Sequence, residues 1–352
     1  MNLNFINFRV EKRIFVLLPL IFLLLVVFRA SAIRNNELKS PTTPLDRQEL
    51  MLKALVKIKG EASWKPNGFG TGEFLTDLPV IAAGAIINLD SGDVIWSMNL
   101  RKRIAPASLG KIATVMTALD ISDEGHTLLV DKAASNQIPT KLGLSEGEKL
   151  TLSEAAAAAV LTSANDATEA ISGSLGKEIG NGTPDFLRLV NEKLKKIGAI
   201  DSHFETSTGL DSANHFSTVY DLAIIGHEAK TNYPLISSLA ATKYQQLALN
   251  ENHKVFDLPN WNALLGTYPG VNGLKIGYTE DAGHATMVTA ERNSKKLIAI
   301  VIGANSLEER EKAAAVLLNY GFMKNGIEPF PVDELNLVGR FEDWRRQLSY
   351  KR

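Results

Sequence analysis

The amino-acid sequence predicts an α/β protein of the α+β type: an antiparallel sheet flanked by helices, plus an all-helical lobe. Three observations carry this. Two apolar runs, residues 80–89 and 94–98, flank the turn Asp90-Ser91-Gly92-Asp93 and read as an early hairpin. Three strand patterns, 273–278, 285–290 and 296–303, follow one another late in the chain over short connections, with Asn293-Ser294 as the turn between the last two. Between these groups, from Leu150 to about Ala229, the apolar spacing is mostly helical. The order is hairpin, helix, helical insertion, three strands, helix.

Taken in order, residues 1–32 read as a signal peptide or N-terminal membrane anchor. Arg9, Lys12 and Arg13 precede an uncharged apolar run over 14–28. That run is short for a spanning helix of about 20 residues and suits a signal core. Ala30-Ser31-Ala32 is a cleavage-like site, although Arg29 before it disfavours cleavage. The basic flank places the remainder outside the cytoplasm. The expectation is an exported, cell-envelope protein, periplasmic or on the outer face of the cytoplasmic membrane, which contacts the membrane through its N-terminus if uncleaved. Residues 33–78 read as a linker and N-terminal extension, with loose helical spacing over 45–59 and a Gly-rich stretch of no clear period over 60–79.

The main domain is expected over 79–324. After the hairpin, a helix from Ser108 to about Ile121 has Ile112, Val115, Met116 and Leu119 as its core face. Thr151-Leu152-Ser153-Glu154 opens an Ala-rich helix to Leu161, which Thr162-Ser163-Ala164-Asn165 interrupts before helical spacing resumes at Asp166. Residues 184–197 form an amphipathic helix closed by Gly198, and Ser217 is the N-cap candidate for the next one. A last helix spans about 307–320. In the tail, 325–352, Phe341, Trp344 and Leu348 recur at helical spacing among five basic residues within 340–352. That pattern suits a locally packed helix or an anionic membrane surface.

Composition narrows the function. The 352 residues carry a net charge of −1, with 45% hydrophobic and 22% charged residues, as in an ordinary globular protein. No basic stripe interleaved with aromatics appears, so nucleic acid is not an expected partner. Without cysteine, disulfides, thiolate metal sites and a cysteine nucleophile are excluded. The His227-Glu228 pair has Thr231 where a metal-binding helix would need a second histidine, and neither a metal nor a cofactor is expected.

Three short motifs carry chemistry. Pro106-Ala107-Ser108-Leu109-Gly110-Lys111 sets a serine and a lysine three positions apart at a helix start, on one face. Serine is a weak nucleophile until a base takes its proton, and lysine is such a base only where its charged form is disfavoured. Ser163-Ala164-Asn165 sits on the helix interruption; it reads as a hydroxyl and an amide facing a cleft, or as caps of a helix break. Lys275-Ile276-Gly277 lies on a strand, where the glycine permits close approach to the backbone and the lysine attracts a carboxylate. A solvent-facing strand lysine is the alternative.

The ordered set S-x-x-K, S-x-N and K-x-G resembles the signature of penicillin-binding proteins and serine β-lactamases. Specifically, the chain resembles the low-molecular-mass penicillin-binding proteins that are D-alanyl-D-alanine carboxypeptidases, serine peptidase family S11. The likeness covers about 79–324. Besides the motifs it includes His203-Phe204-Glu205-Thr206-Ser207-Thr208-Gly209-Leu210-Asp211, Tyr278-Thr279 with Asp281-Ala282-Gly283, and Leu317-Leu318-Asn319-Tyr320-Gly321-Phe322. The resemblance implies a sheet lobe and a helical lobe with the active site between them. It implies Ser108 as nucleophile, Lys111 as general base, Ser163 as proton relay, Asn165 orienting Lys111 or substrate, and Lys275 as electrostatic anchor. It implies substrate contacts at Lys275, Gly277, Tyr278, Thr279 and Arg310, the backbone N–H groups of Ser108 and Tyr278 forming the oxyanion hole. The implied partners are peptidoglycan stem peptides ending in D-Ala-D-Ala, with β-lactams as inhibitors.

Two positions depart. Ile276 stands where the family has threonine, and the lost hydroxyl removes a donor to the substrate carboxylate, typically about 1.5–3 kcal/mol. This keeps a peptidoglycan-binding remnant without turnover in view. Gly110 is less helix-favouring than the usual residue. A β-lactamase would need a deacylating glutamate that the sequence does not offer, and endopeptidase action on cross-links is chemically adjacent.

Overall fold

A computed structural model describes residues 43–349; the leader read over 1–32 lies outside them. Five strands form one antiparallel sheet: β1 (Ala83–Asn88), β2 (Val94–Met98), β3 (Val271–Thr279), β4 (Gly283–Arg292) and β5 (Lys295–Ala304). Their spatial order is β2-β1-β5-β4-β3. The early hairpin therefore joins the late strands directly, with Ala85 opposite Ile300, and β3 is left as an edge.

The apolar run of β5 explains the layers. Ile298, Ile300 and Ile302 enter one core cluster, and Leu297, Ala299 and Val301 enter another. Successive strand residues point to opposite faces, so an unbroken apolar strand must be covered on both sides. On one side lies α8 (Leu307–Met323), through Ala313, Ala314, Leu317 and Leu318. On the other lie α6 (Val219–Asn232) and α7 (Pro234–Ala241), which begin the helical lobe. That lobe is completed by α2 (Lys111–Ile121), α3 (Leu152–Leu161), α4 (Asn165–Ile179) and α5 (Thr183–Ile197). The Ala-rich α3 buries Ala155 to Ala159 on every side, which suits a helix wrapped by others.

The structure adjusts the expected boundaries. The helix read from Ser108 opens as a 3₁₀ turn, Ala107–Gly110, and becomes α-helical only at Lys111. The cap of α6 is Thr218, whose hydroxyl accepts from the Asp221 N–H at 3.0 Å. Ser217, expected there, instead shares a 2.8 Å bond with the Ser202 hydroxyl. Two ribbons, Thr127–Leu129 with Lys149–Thr151 and Tyr244–Leu247 with Phe256–Pro259, have strands too short to show a period.

Residues 43–78 are built into the domain. Helix α1 (Pro44–Lys57) carries a capping box at Thr43 and buries Met51, Ala54 and Ile58 against Ile179 and Leu189. Its exit is held by ions: Asp120 accepts the Lys59 N–H at 2.9 Å, and Lys193 donates to the Lys59 carbonyl at 2.8 Å. Residues 67–71 then run beside β2 and hydrogen-bond to it, covering that edge of the sheet. At the other terminus, α9 (Leu337–Ser349) turns Leu337 and Trp344 inward, Trp344 meeting Trp261 edge-on at 5.0 Å. Leu337, Phe341 and Trp344 thus pack on the domain, while Val338 stays exposed. Among the described residues no helix is long and apolar enough to cross a membrane.

Candidate active site

The 3₁₀ turn carrying Ser108 is wedged between the helical lobe and the outer edge of β3. Contact is close enough that a Cβ on Gly277 would lie 2.9 Å from Ser108 N and 3.0 Å from the Ala107 Cβ. Only glycine lets strand and turn meet there. Gly110, the unusual residue inside the turn, has a similar reason: a Cβ would press within 3.2 Å of the Phe204 ring.

Lys111 opens α2, fully buried, with its Nζ 2.7 Å from Ser108 Oγ. The same nitrogen lies 2.7 Å from Asn165 Oδ1 and 2.5 Å from the Thr208 carbonyl. The Asn165 amide is oriented by its own Nδ2, which donates to the Ile138 carbonyl at 3.0 Å, so its oxygen faces the lysine. Burial pushes Lys111 down to about 7. A neutral amine has two N–H groups and one lone pair. Two of the three neighbours are carbonyl oxygens that only accept, so they take the N–H groups. The lone pair is left facing the Ser108 hydroxyl, the arrangement a general base requires.

Ser163 sits in the break between α3 and α4, buried, with φ of 60°. A serine held in the left-handed region costs of order 1–3 kcal/mol and marks a backbone shaped by its surroundings. Asp166, one residue past Asn165, accepts the N–H groups of Leu142, Gly143 and Leu144. It thereby fixes the loop that borders this break.

Lys275 is not solvent-facing: it is 1% exposed and donates to the Ile276 carbonyl at 2.9 Å. Burial holds it well below its ordinary value, with Lys111 and Arg310 adding to the effect. Arg310, in the first turn of α8, is buried and pairs with the Glu311 carboxylate, while its Nε has no partner. Burial lowers His284, and the Arg310 charge adds to the effect. Three basic side chains, from β3, α2 and α8, therefore lie close enough to act on one another, and an anionic group arriving among them would favour their charged forms.

Ile276 and Tyr278 share a face of β3 by strand alternation, opposite Thr286 and His284 of β4. Tyr278 is half-exposed and packs its ring 4.6 Å from that of His284. Thr279 is committed to the β3–β4 turn, its hydroxyl accepting from the Ala282 N–H at 3.2 Å. That bond uses the hydroxyl only as an acceptor and leaves its O–H free to donate.

Of the residues nominated from the sequence, Ser108, Lys111 and Asn165 are joined by hydrogen bonds, Gly277 packs on Ser108, and Lys275 lies near Lys111 and Arg310. The sequence missed the Thr208 carbonyl, because a backbone acceptor leaves no side-chain signature. It also passed over Asp166, although the Asn165-Asp166-Ala167 run contained it. Among the described residues no cluster of His, Asp or Glu stands as a metal site.

A serine, an adjacent lysine held largely neutral and a second basic side chain at a sheet edge are the groups of a serine acyl-transfer enzyme. The comparisons are specific about which. A profile of the D-alanyl-D-alanine carboxypeptidase family, peptidase S11, matches residues 74–306. The carboxypeptidase DacF of Bacillus subtilis is 30% identical over 275 residues, covering 76% of this chain and 69% of that protein. DacD of Salmonella typhimurium is 31% identical over 265 residues, 70% of this chain and 65% of that one. About a third of each relative thus lies outside the match. Among solved structures, the Mycobacterium tuberculosis D-alanyl-D-alanine carboxypeptidase superposes with TM-score 0.65 at 26% identity, covering 74% and 96% of the two chains. DacD from Francisella tularensis, at 21% identity and TM-score 0.64, shares the fold over 73% and 74%. The chain belongs to the D-alanyl-D-alanine carboxypeptidase family and is a serine peptidase of the penicillin-binding-protein fold.

Proposed function

We propose that the protein trims the terminal D-Ala from peptidoglycan stem peptides at the cell envelope. Ser108 Oγ attacks the carbonyl carbon of the penultimate D-Ala, and Lys111 takes the hydroxyl proton. The developing oxyanion is held by the N–H groups of Ser108 and Tyr278, donors worth a few kcal/mol each. The C–N bond breaks, and the leaving D-Ala nitrogen receives a proton through Ser163. Water then attacks the ester, and Ser108 leaves with its proton restored. The edge of β3 offers unpaired backbone along which an extended peptide end lies. Lys275 and Arg310 hold its terminal carboxylate. Once that carboxylate arrives, the depressed Lys275 regains a reason to be charged.

The observation that carries this reading is Lys111: a buried amine whose two acceptor-only neighbours leave its lone pair on Ser108. β-Lactams, which mimic the dipeptide, should acylate Ser108. The test is release of D-Ala from a peptide ending in D-Ala-D-Ala. Binding of that peptide without release would replace catalysis by a peptidoglycan-binding role. The N-terminal leader supports export, which a fusion of residues 1–42 to a reporter would check.

Ile276→Thr restores a hydroxyl on the edge strand, next to Lys275 in the chain. If the missing donor limits binding, KM should fall roughly 10- to 100-fold, the equivalent of a bond to a charged group. Unchanged steady-state kinetics would mean that Arg310 already satisfies the carboxylate.

A further inference from the structure

The site described so far explains what acts on Ser108, but not what holds the Thr208 carbonyl against Lys111. Thr208 lies on a loop, residues 203–211, with no regular element to fix it. Its neighbour Ser207 is 1% exposed and bound at two atoms. The Ser207 carbonyl accepts from the Thr114 hydroxyl at 2.8 Å, and the Ser207 hydroxyl donates to Glu169 Oε2 at 2.6 Å. Glu169 also accepts from the Thr183 hydroxyl at 2.5 Å and from Ser172 at 3.2 Å.

The placement of Glu169 gives this carboxylate its meaning. It lies on α4 four residues after Asn165, one turn along the same face. Helix α4 therefore supplies both acceptors of the Lys111 amine. One is direct, Asn165 Oδ1; the other is indirect, through Glu169 and Ser207 to the Thr208 carbonyl. Thr114, which grips the other side of Ser207, is three residues past Lys111 on α2. The loop is thus clamped between the helix that carries the base and the helix that orients it.

We propose that Glu169 is a positioning residue for the Ser108–Lys111 pair: by holding Ser207 it keeps the Thr208 carbonyl on one N–H of Lys111 and so aims the lone pair at the serine. The proposal rests on Lys111 being the base. Without the clamp the carbonyl drifts and the amine gains rotational freedom. Two effects follow. The productive geometry is populated less, since misplacement by about 1 Å costs up to 10²-fold. The charged amine loses more than the neutral one, because hydrogen bonds to an ion are about twice as strong, so the pKa of Lys111 falls further.

The experiment measures the rate of Ser108 acylation by a fluorescent penicillin against pH. The variants are Glu169→Ala, Ser207→Ala and Thr183→Ala. Ser207→Ala is a small change that removes only the link, which keeps the test informative if Glu169→Ala fails to fold. Wild-type acylation should rise through about pH 7. In Glu169→Ala and Ser207→Ala the plateau should drop about 10-fold or more, and the rise should move to lower pH by roughly half a unit. Thr183→Ala, which removes a Glu169 partner not linked to the base, should keep the wild-type profile. A merely structural role would lower the amount of active protein without moving the rise. If wild type acylates and Ser207→Ala keeps both its plateau and its pH profile, the proposal is overturned. If folded wild type does not acylate at all, the reading of Ser108 and Lys111 falls, and this inference with it.

Discussion

Lys111→Met should lower β-lactam acylation and D-Ala release by roughly 10³-fold or more, the scale seen when one member of a nucleophile–base pair is removed. Methionine matches the unbranched stem of lysine in a site that is fully buried. The cost in stability is the pair of acceptors left behind, Asn165 Oδ1 and the Thr208 carbonyl, at about 1–3 kcal/mol for each group left unpaired. The protein should therefore fold, with a lowered melting temperature, while losing its chemistry. The intact enzyme's pH dependence comes from the same residue. Burial lowers Lys111 to about 7, so the neutral base predominates above that pH and the charged amine below it. Acylation should rise through about pH 7 and then flatten. A rise displaced to pH 10, where an ordinary lysine titrates, would mean that burial does not hold Lys111 neutral near pH 7.

Gly277→Ala should lower acylation about 10²-fold. The new Cβ would meet Ser108 N at 2.9 Å and the Ala107 Cβ at 3.0 Å. Neither neighbour is the free end of a flexible side chain, so either the 3₁₀ turn or the edge strand must shift. A shift at either moves one of the N–H groups proposed to hold the oxyanion, since Ser108 belongs to the turn and Tyr278 follows Gly277 on the strand. Overpacking of this kind costs about 1–3 kcal/mol of stability, too little to unfold a domain of this size. Stopped-flow acylation beside a thermal melt separates the two effects. A wild-type rate in the variant would mean that the turn and strand do not form the reacting surface.

The sequence carried the sheet because both of its parts are strongly patterned: the hairpin around Asp90-Ser91-Gly92-Asp93, and the apolar run of β5. It carried the Ser108–Lys111–Asn165 cluster because that cluster rests on side chains in short motifs, S-x-x-K and S-x-N. Other features left weaker traces. The 3₁₀ opening of the Ser108 helix follows from tertiary contact with β3 and Phe204, which no local propensity encodes. Residues 67–71 have no period because they lie along an edge strand and are half wet, held by backbone bonds to residues 92–95. Glu169 passed as one more helix glutamate; only the fold brings Ser207 and Thr183 to it. The burial of Lys275 was likewise invisible, because a strand lysine beside a glycine reads equally well as a surface residue.

The account stands on Ser108 as a nucleophile made reactive by Lys111. Intact-mass analysis of the full chain after exposure to a penicillin, followed by peptide mapping, tests this directly. One acyl group per chain is expected, located on Ser108 and absent from Ser108→Ala. No adduct on folded wild-type protein, or an adduct that persists in Ser108→Ala, would contradict it.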